Sequence, residues 1–369
     1  MATNNTGNKA GENPIGGICR YDFTAPTNYL ECDGSTVNKA TYEELYDVIG
    51  TEYGGSTSLL TFTQRTSGFT ADNISRSAYG NSYYVTGGGS GKLGTATNPE
   101  STWTLQTSSF GSTTINEAEY GNSYWVAVGG AGKLATCTSN PATGTWTQRT
   151  SSFSSDDLYS VTYDGSAYWV AVGGAGKLAT CTSNPATGTW TQRTSSFGTG
   201  YILDVAYGNS AWVIVGSSPG ELATCTSNPA TGTWTQHSST SFAGTQINRI
   251  VYGNGYWVAG GNDGKLATCT GAPTGTWTQR TSGFGTSHIY ELTYAGGIFM
   301  ISGTDGKLAA AVDPTGSWTS LTSSFAGTQI NGIGYGDGYW VVGGSDGKLA
   351  TAPASFLLPT ITDNIIRSS

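Results

Sequence analysis

The side chains able to move protons, bind metals or attack a substrate are few in this chain and far apart. Histidine occurs only at His237 and His288, and neither sits with cysteines or carboxylates at the spacing of a metal site. No nucleophile stands beside a base, so the pattern points to no catalytic residues, no metal and no cofactor. A carboxylate pair involving Asp156 or Glu291 is the one acid–base arrangement left open, because carboxylate separation is set in three dimensions.

Binding chemistry is better represented, in three sets that recur along the chain. Lys92, Lys133, Lys177, Lys265, Lys307 and Lys348 share one register, with Glu221 in the equivalent place of a further repeat. In a chain of net charge −8 they draw a ring of point charges suited to an anionic glycan or a lipopolysaccharide phosphate. Solvated lysines at strand starts are the simpler reading. The second set follows a recurrent phenylalanine (Phe69, Phe110, Phe153, Phe197, Phe242, Phe284, Phe325), after which the sequence differs between repeats. There Asp72, Asp156, Asp157, Tyr201 and His288 carry the chemistry for recognition, against the plain reading of solvated loop residues. The third set is Arg76, Glu117, Ser160, Asp204, Arg249, Glu291 and Gly332, each two residues after a recurrent Ile or Leu. Its signs place Arg76 beside Glu117, and Arg249 between Asp204 and Glu291, as ion pairs between neighbouring units near a channel. A small ligand in the channel mouth is the alternative.

The elements that must position these sets are strands. Phe62, Trp103, Trp146, Trp190, Trp234, Trp277 and Trp318 occupy one position, 41 to 44 residues apart, which is the spacing of propeller blades with four strands each. From Ile247 to Trp277 the chain reads INRIVYGN, GYWVAGG, GKLATCTGAPTG and TW. Each piece alternates and ends in turn residues, so the unit is a meander of strands a, b, c and d. The first d strand, 61–66, precedes every a strand, and the last a-b-c set, 330–351, has no d strand after it. They complete each other and remove the open edge of a linear array. The expected fold class is therefore all-β, a seven-bladed β-propeller over residues 61–353 with strand-swapped closure. Strand a lies nearest the axis, and the d–a loops share a face with the b–c turns. Gln64-Arg65, Gln148-Arg149, Gln192-Arg193 and Gln279-Arg280 put arginine on outer strands, as a charged edge against strand addition.

Composition agrees with this fold and excludes some partners. Glycine is 55 of 369 residues, aromatics are 12% and charged residues 11%, a mix that suits strands and turns. Net acidity argues against nucleic acid, which wants clustered Lys and Arg. No stretch approaches the roughly 18 apolar residues of a membrane-inserted helix. Residues 1–14 lack the apolar core of a secretory signal, and we expect synthesis in a cytoplasm. Cys137, Cys181, Cys225 and Cys269 hold one register in successive repeats and read as small buried residues. Cys19 and Cys32 fall in strands that would bring them close if paired; a reducing compartment argues against a bridge.

The stretch YGNSYWVAVGGAGKLATCTSNPATGTW, 120–146, resembles bacterial propeller repeats of the form YGNGxFVAVGxxGxIxTSxDGxTW, related to the Asp-box propellers. The Asp of that box is missing between Ser139 and Trp146, so another group must hold the turn. Residues 14–60 resemble the phage tail-collar domain: Pro14-Ile15-Gly16, Cys32-Asp33-Gly34, Tyr42, Leu45, Ile49-Gly50 and Tyr53-Gly54 match its pattern in order and spacing. The Phe-x-Leu-Pro segment that completes that family's fold is missing after Gly54 and reappears at 355–359 as SFLLP. The resemblance implies a small α+β collar domain made of residues 14–60 and 354–369, with the propeller inserted and residues 1–13 a flexible start. Within it, Tyr42, Leu45, Tyr46 and Ile49 would share one face of a short helix.

Together these readings lead to a phage virion protein, a tail or fibre component that displays its propeller for host attachment, assembled in the host cytoplasm. Its partners would be other virion proteins through the collar-like unit and a host glycan or lipopolysaccharide at the distal face. The collar resemblance also implies homotrimers. A decoration protein without receptor role and a bacterial surface lectin are the alternatives.

Overall fold

The computed structural model describes residues 18–20, 29–49, 54–138, 140–182, 184–217, 220–238, 240–357 and 360–367; the expected flexible segment 1–13 lies outside them. Seven four-stranded antiparallel meanders are present among these residues. Blade two is representative, with strands a to d at Ile115–Gly121, Tyr124–Gly129, Leu134–Thr138 and Thr147–Arg149. Successive a strands touch in a closed ring, and the last, Ile330–Gly336, packs on the first, Ile74–Gly80. Blade seven takes its fourth strand from the other end of the chain: Leu349, Ala350 and Thr351 pair with Arg65, Gln64 and Thr63.

Burial explains why the b strands read as continuous apolar runs. Each is sandwiched between neighbouring blades, so both of its faces are covered. Val126 and Val128 of blade two share one cluster with Val161, Trp169 and Trp190 of blade three. The tyrosine ending strand a packs against the aromatic residue of strand b, as Tyr252 does against Trp257 with the rings tilted by 51° and 5.0 Å between centroids. The glycine that follows makes room for the next blade. A Cβ at Gly253 would lie 2.2 Å from the Tyr294 ring, so only glycine admits that contact.

The turn lacking the Asp of the box is held by asparagine and tryptophan. Asn140 Oδ1 accepts the Ala142 N–H at 2.9 Å, and Trp146 Nε1 donates to Pro141 O at 3.3 Å. The d-strand arginines are also more than an edge. Arg149, Arg193 and Arg280 donate through Nε to Thr136, Thr180 and Thr268 at 2.8, 3.0 and 2.9 Å. These threonines are buried on strand c, and in blade one Gln106 Nε2 does the same for Thr95 at 2.9 Å. The four repeat cysteines are buried, and burial pushes the Cys181 thiol up to about 11.

Both chain ends build the collar-like unit. Thr360–Arg367 lies between Ile18–Arg20 and Tyr29–Asp33 in one sheet, and Ser355–Leu357 lies between Thr36–Asn38 and Gly55–Ser56 in another. The strands carrying Cys19 and Cys32 are therefore not paired with each other, since Ile365 stands opposite both Cys19 and Glu31. The side chain of Cys19 lies outside the described residues. The helix is Glu43–Ile49, with Leu45 and Ile49 buried beside Val37 and Phe356, and Tyr42 and Tyr46 packed at the margin.

This unit seats on the a–b turns of blades six and seven. Lys39, 1% exposed, donates to Asp337 O at 2.5 Å and lies 5.2 and 5.0 Å from the Tyr46 and Tyr339 ring centroids. The Tyr46 and Tyr335 hydroxyls are 2.6 Å apart, and Ala354 N–H donates to Gly338 O at 2.7 Å. Gly55 packs against Gly296, where a Cβ would meet the carbonyl at 2.1 Å.

Removing a d-strand arginine leaves a buried hydroxyl without its partner, at a cost of about 1–3 kcal/mol. Arg193→Ala is expected to lower the denaturation midpoint accordingly. Arg193→Gln, which copies blade one, should retain most of the stability. Equal losses in the two variants, measured by urea unfolding, would refute the hydrogen-bond account.

Candidate binding site in the central channel

Strand a carries the site because it is innermost and because its pleat is interrupted. In all seven blades its register with strand b slips just after the leading Ile or Leu. Such a slip is a β-bulge, and bulges re-aim side chains. The residue after the leading Ile or Leu joins a ring around one end of the channel, and the next residue joins a charged layer across it.

In that layer Arg76 reaches three blades besides its own. Its guanidinium meets Glu117 at 2.7 Å, Asp204 at 3.2 Å and Glu291 at 3.1 Å. Arg249 meets Glu291 at 3.1 Å and donates to Asn248 O at 2.9 Å. Asp204 thus takes its arginine from across the channel rather than from neighbouring Arg249, because Arg76 spans the narrow axis. Asp204 also accepts Ser160 Oγ at 2.8 Å and the Ile250 N–H at 2.9 Å. Val161 N–H donates to Glu117 at 3.2 Å.

Glu119, two residues beyond Glu117 on the same strand, adds a fourth carboxylate that charge alternation did not single out. Burial and then the charge of Glu117 push it up to about 8, against the pull of Arg76. Glu117 itself is raised by burial, which outweighs Arg76. For Arg76 burial works against the charge, but Glu117, Glu291 and Asp204 outweigh it, and its pKa is raised.

The layer separates two cavities. On the collar side, about 290 Å³ is lined by Glu117, Glu119 and the strand-end tyrosines Tyr79, Tyr120, Tyr294 and Tyr335. On the distal side, about 270 Å³ is bounded by the ring that runs from Ser75 through Asn116, Tyr159, Leu203, Asn248 and Tyr290 to Asn331, with Gln246, Gln329 and Arg249.

The lysine ring does not present open charges. Lys92, Lys133, Lys177, Lys307 and Lys348 each donate to the carbonyl of the recurrent phenylalanine in their own blade, at 2.6–3.0 Å. Lys265 donates to the next carbonyl, Ala243 O, at 3.2 Å. Each lysine therefore fastens a d–a loop to a b–c turn on the face opposite the collar-like unit. Asp72 and Asp156 pair with Lys92 and Lys177 at 2.8 and 2.7 Å. Hydrogen bonds from Lys92 and then Ser90 hold the Asp72 carboxyl below its ordinary value. Asp157 accepts the Ala131 N–H of the preceding blade at 2.8 Å, and His288 Nδ1 accepts the Asp263 N–H at 3.0 Å. Tyr201, 54% exposed, meets Tyr159 edge-on at 6.1 Å, and His288 lies 5.9 Å from Tyr290. Tyr201 and His288 thus adjoin the distal cavity, whereas the acidic tips and lysines serve their loops.

A carboxyl whose folded pKa lies above the ordinary value of about 4.3 stabilises fully below that value and loses its contribution as pH rises through the folded value. Glu119 should therefore weaken the fold between about pH 4.3 and about 8. We expect Glu119→Gln to melt with the parent at pH 5 and roughly 2–4 °C above it at pH 8.5. Identical melting profiles at both pH values would overturn this assignment.

Comparison with known proteins bears on both parts of the chain. Residues 16–63 match the family model of the phage tail collar domain. Among solved structures, the chain is similar to YCF48 bound to a D1 peptide, with a TM-score of 0.64 and 15% identity over 81% of this chain and 96% of that one. It is likewise similar to YCF48 from Cyanidioschyzon merolae, with a TM-score of 0.63 and 16% identity over 79% and 98%. None of the curated proteins matches the chain. At these identities the structural likeness speaks for the fold alone, an all-β propeller of four-stranded blades joined here to a segment similar to the tail collar domain.

Proposed function

We propose that the chain is a structural component of a phage virion, a tail or fibre protein that holds its propeller toward the host surface for attachment. The observation that carries this reading is directional. Both chain ends meet in the unit that matches the tail collar domain over 16–63, and that unit seats on the a–b turns of blades six and seven. The d–a loops, the b–c turns and the channel mouth ringed by residues of variable chemistry lie on the opposite face. In this reading the collar-like unit joins other virion proteins, as part of a homotrimer, and the distal face meets a host glycan or lipopolysaccharide. Many copies on one particle would multiply a weak contact into firm capture. No step of covalent chemistry is required.

Saturable binding of the purified full chain to intact host cells and to their isolated surface polysaccharide is the expected result. Absence of binding to every candidate envelope by the folded chain would overturn the attachment role. Absence of the chain from purified particles, read by mass spectrometry, would overturn the virion assignment.

A further inference from the structure

We propose that the distal cavity of the channel takes one uncharged sugar unit at the end of a glycan chain. This deepens the attachment reading above, and its own support is geometric. At about 270 Å³ the cavity lies just under the roughly 300–1,000 Å³ of pockets that bury drug-sized ligands, a size for a single ring rather than an oligosaccharide.

The walls have the chemistry that hydroxyl groups need. Asn116 Nδ2 donates to Leu158 O at 2.7 Å and Asn248 Nδ2 to Ile289 O at 2.7 Å, each tying its side chain to the next blade. Gln246 Nε2 donates to Asn248 Oδ1 at 2.6 Å, and Gln329 Nε2 to Asn331 Oδ1. These bonds fix the amides in place. They leave Asn116 Oδ1, Gln246 Oε1, Gln329 Oε1 and Asn331 Nδ2 without a partner among the described residues. Acceptors and a donor are thus held in position before a ligand arrives, which lowers the ordering cost of binding.

Aromatic rings supply the apolar part. Tyr159 and Tyr290 line the cavity from blades three and six, three places apart in a ring of seven, and each is supported by a second ring, Tyr201 or His288. A sugar has an apolar C–H face and a polar rim, and amphipathic tyrosines among amides complement both.

Charge selects against sugar acids. The cation in the wall, Arg249, is already paired with Glu291 and bonded to a backbone carbonyl. The layer beneath sets Arg76 and Arg249 against Glu117, Asp204 and Glu291, so an anionic ligand would find both arginines already engaged by acids of the protein. The repeats vary at this register as well. The leading residue of strand a is Ile or Leu throughout, whereas the ring residue after it reads Ser, Asn, Tyr, Leu, Asn, Tyr and Asn.

Saturation-transfer NMR on the full chain, with glucose, galactose, mannose, N-acetylglucosamine, N-acetylgalactosamine and glucuronate as probes, tests the site. Transfer to at least one neutral sugar and none to glucuronate is expected. Leu203→Trp, which fills the cavity without removing a side-chain hydrogen bond, and Tyr290→Ala, which removes a wall, should each weaken that binding by about tenfold or more. Silence from every neutral sugar, a preference for glucuronate, or unchanged transfer in both folded variants would overturn the proposal. Sugar binding without host-cell binding would retain the subsite and defeat the attachment role. Equal host-cell binding by the parent and both folded variants would do the reverse.

Discussion

Three residues of strand, Thr63 to Arg65, paired with Leu349 to Thr351, hold the ring of blades shut, and the rest of the molecule depends on that closure. Without it the strand-c edge of blade seven would stand open as a template for another chain. Closure also creates the channel, because seven innermost strands enclose an axis only when the last packs on the first. It brings the two chain ends together as well. The chain leaves blade seven at Pro353 and enters it at Thr63, so one small unit is assembled from segments almost 300 positions apart. That joins ring closure and collar assembly.

The seat of that unit is polar and tightly filled. Lys39 is buried with its ammonium between two tyrosine rings and on a backbone carbonyl. A buried cation needs such partners, since an unpaired one would cost several kcal/mol. The contact fixes which face of the propeller is covered, and the covered face determines which loops and which channel mouth remain for recognition. Five lysines of the other face fasten loops in the same manner, by donating hydrogen bonds to phenylalanine backbone carbonyls. A ring that looks electropositive on paper is thereby largely consumed in holding loop shape.

Between the two mouths lies a layer in which Arg76 and Arg249 face the carboxylates of Glu117, Asp204 and Glu291, with Glu119 just beyond. Backbone N–H groups of Val161 and Ile250 add to the satisfaction of these carboxylates. Burial comes first in making Glu117 and Glu119 hold their protons more firmly than usual, against the pull of Arg76, and the neighbouring carboxylates add to it. The layer ties blades one, two, four, five and six across the axis, so it serves stability while it floors the distal cavity.

The number of blades, the order of strands and the swapped closure were legible in the sequence, because each rests on local pattern: a recurring aromatic residue, alternation within a strand, and Gly or Asn at the turns. The likeness of the N-terminal stretch to the tail collar domain was legible from short motifs in order. Tyr201 and His288 were picked out at the rim, but the ring they adjoin was not. Its signal was present as an odd spacing. Ile115 and Tyr120, like Ile247 and Tyr252, are five residues apart and pack in the same cluster, whereas strict alternation puts residues five apart on opposite faces. One extra residue in each a strand resolves the parity, and that bulge turns Asn116, Tyr159 and Tyr290 toward the channel. What only the tertiary structure decided was partnership. A charged residue's position in a repeat gives its sign and register, but whether Arg76 reaches Asp204 depends on a distance between blades remote in the chain, and whether Lys133 reaches the Phe110 carbonyl depends on how the d–a loop folds onto the b–c turn.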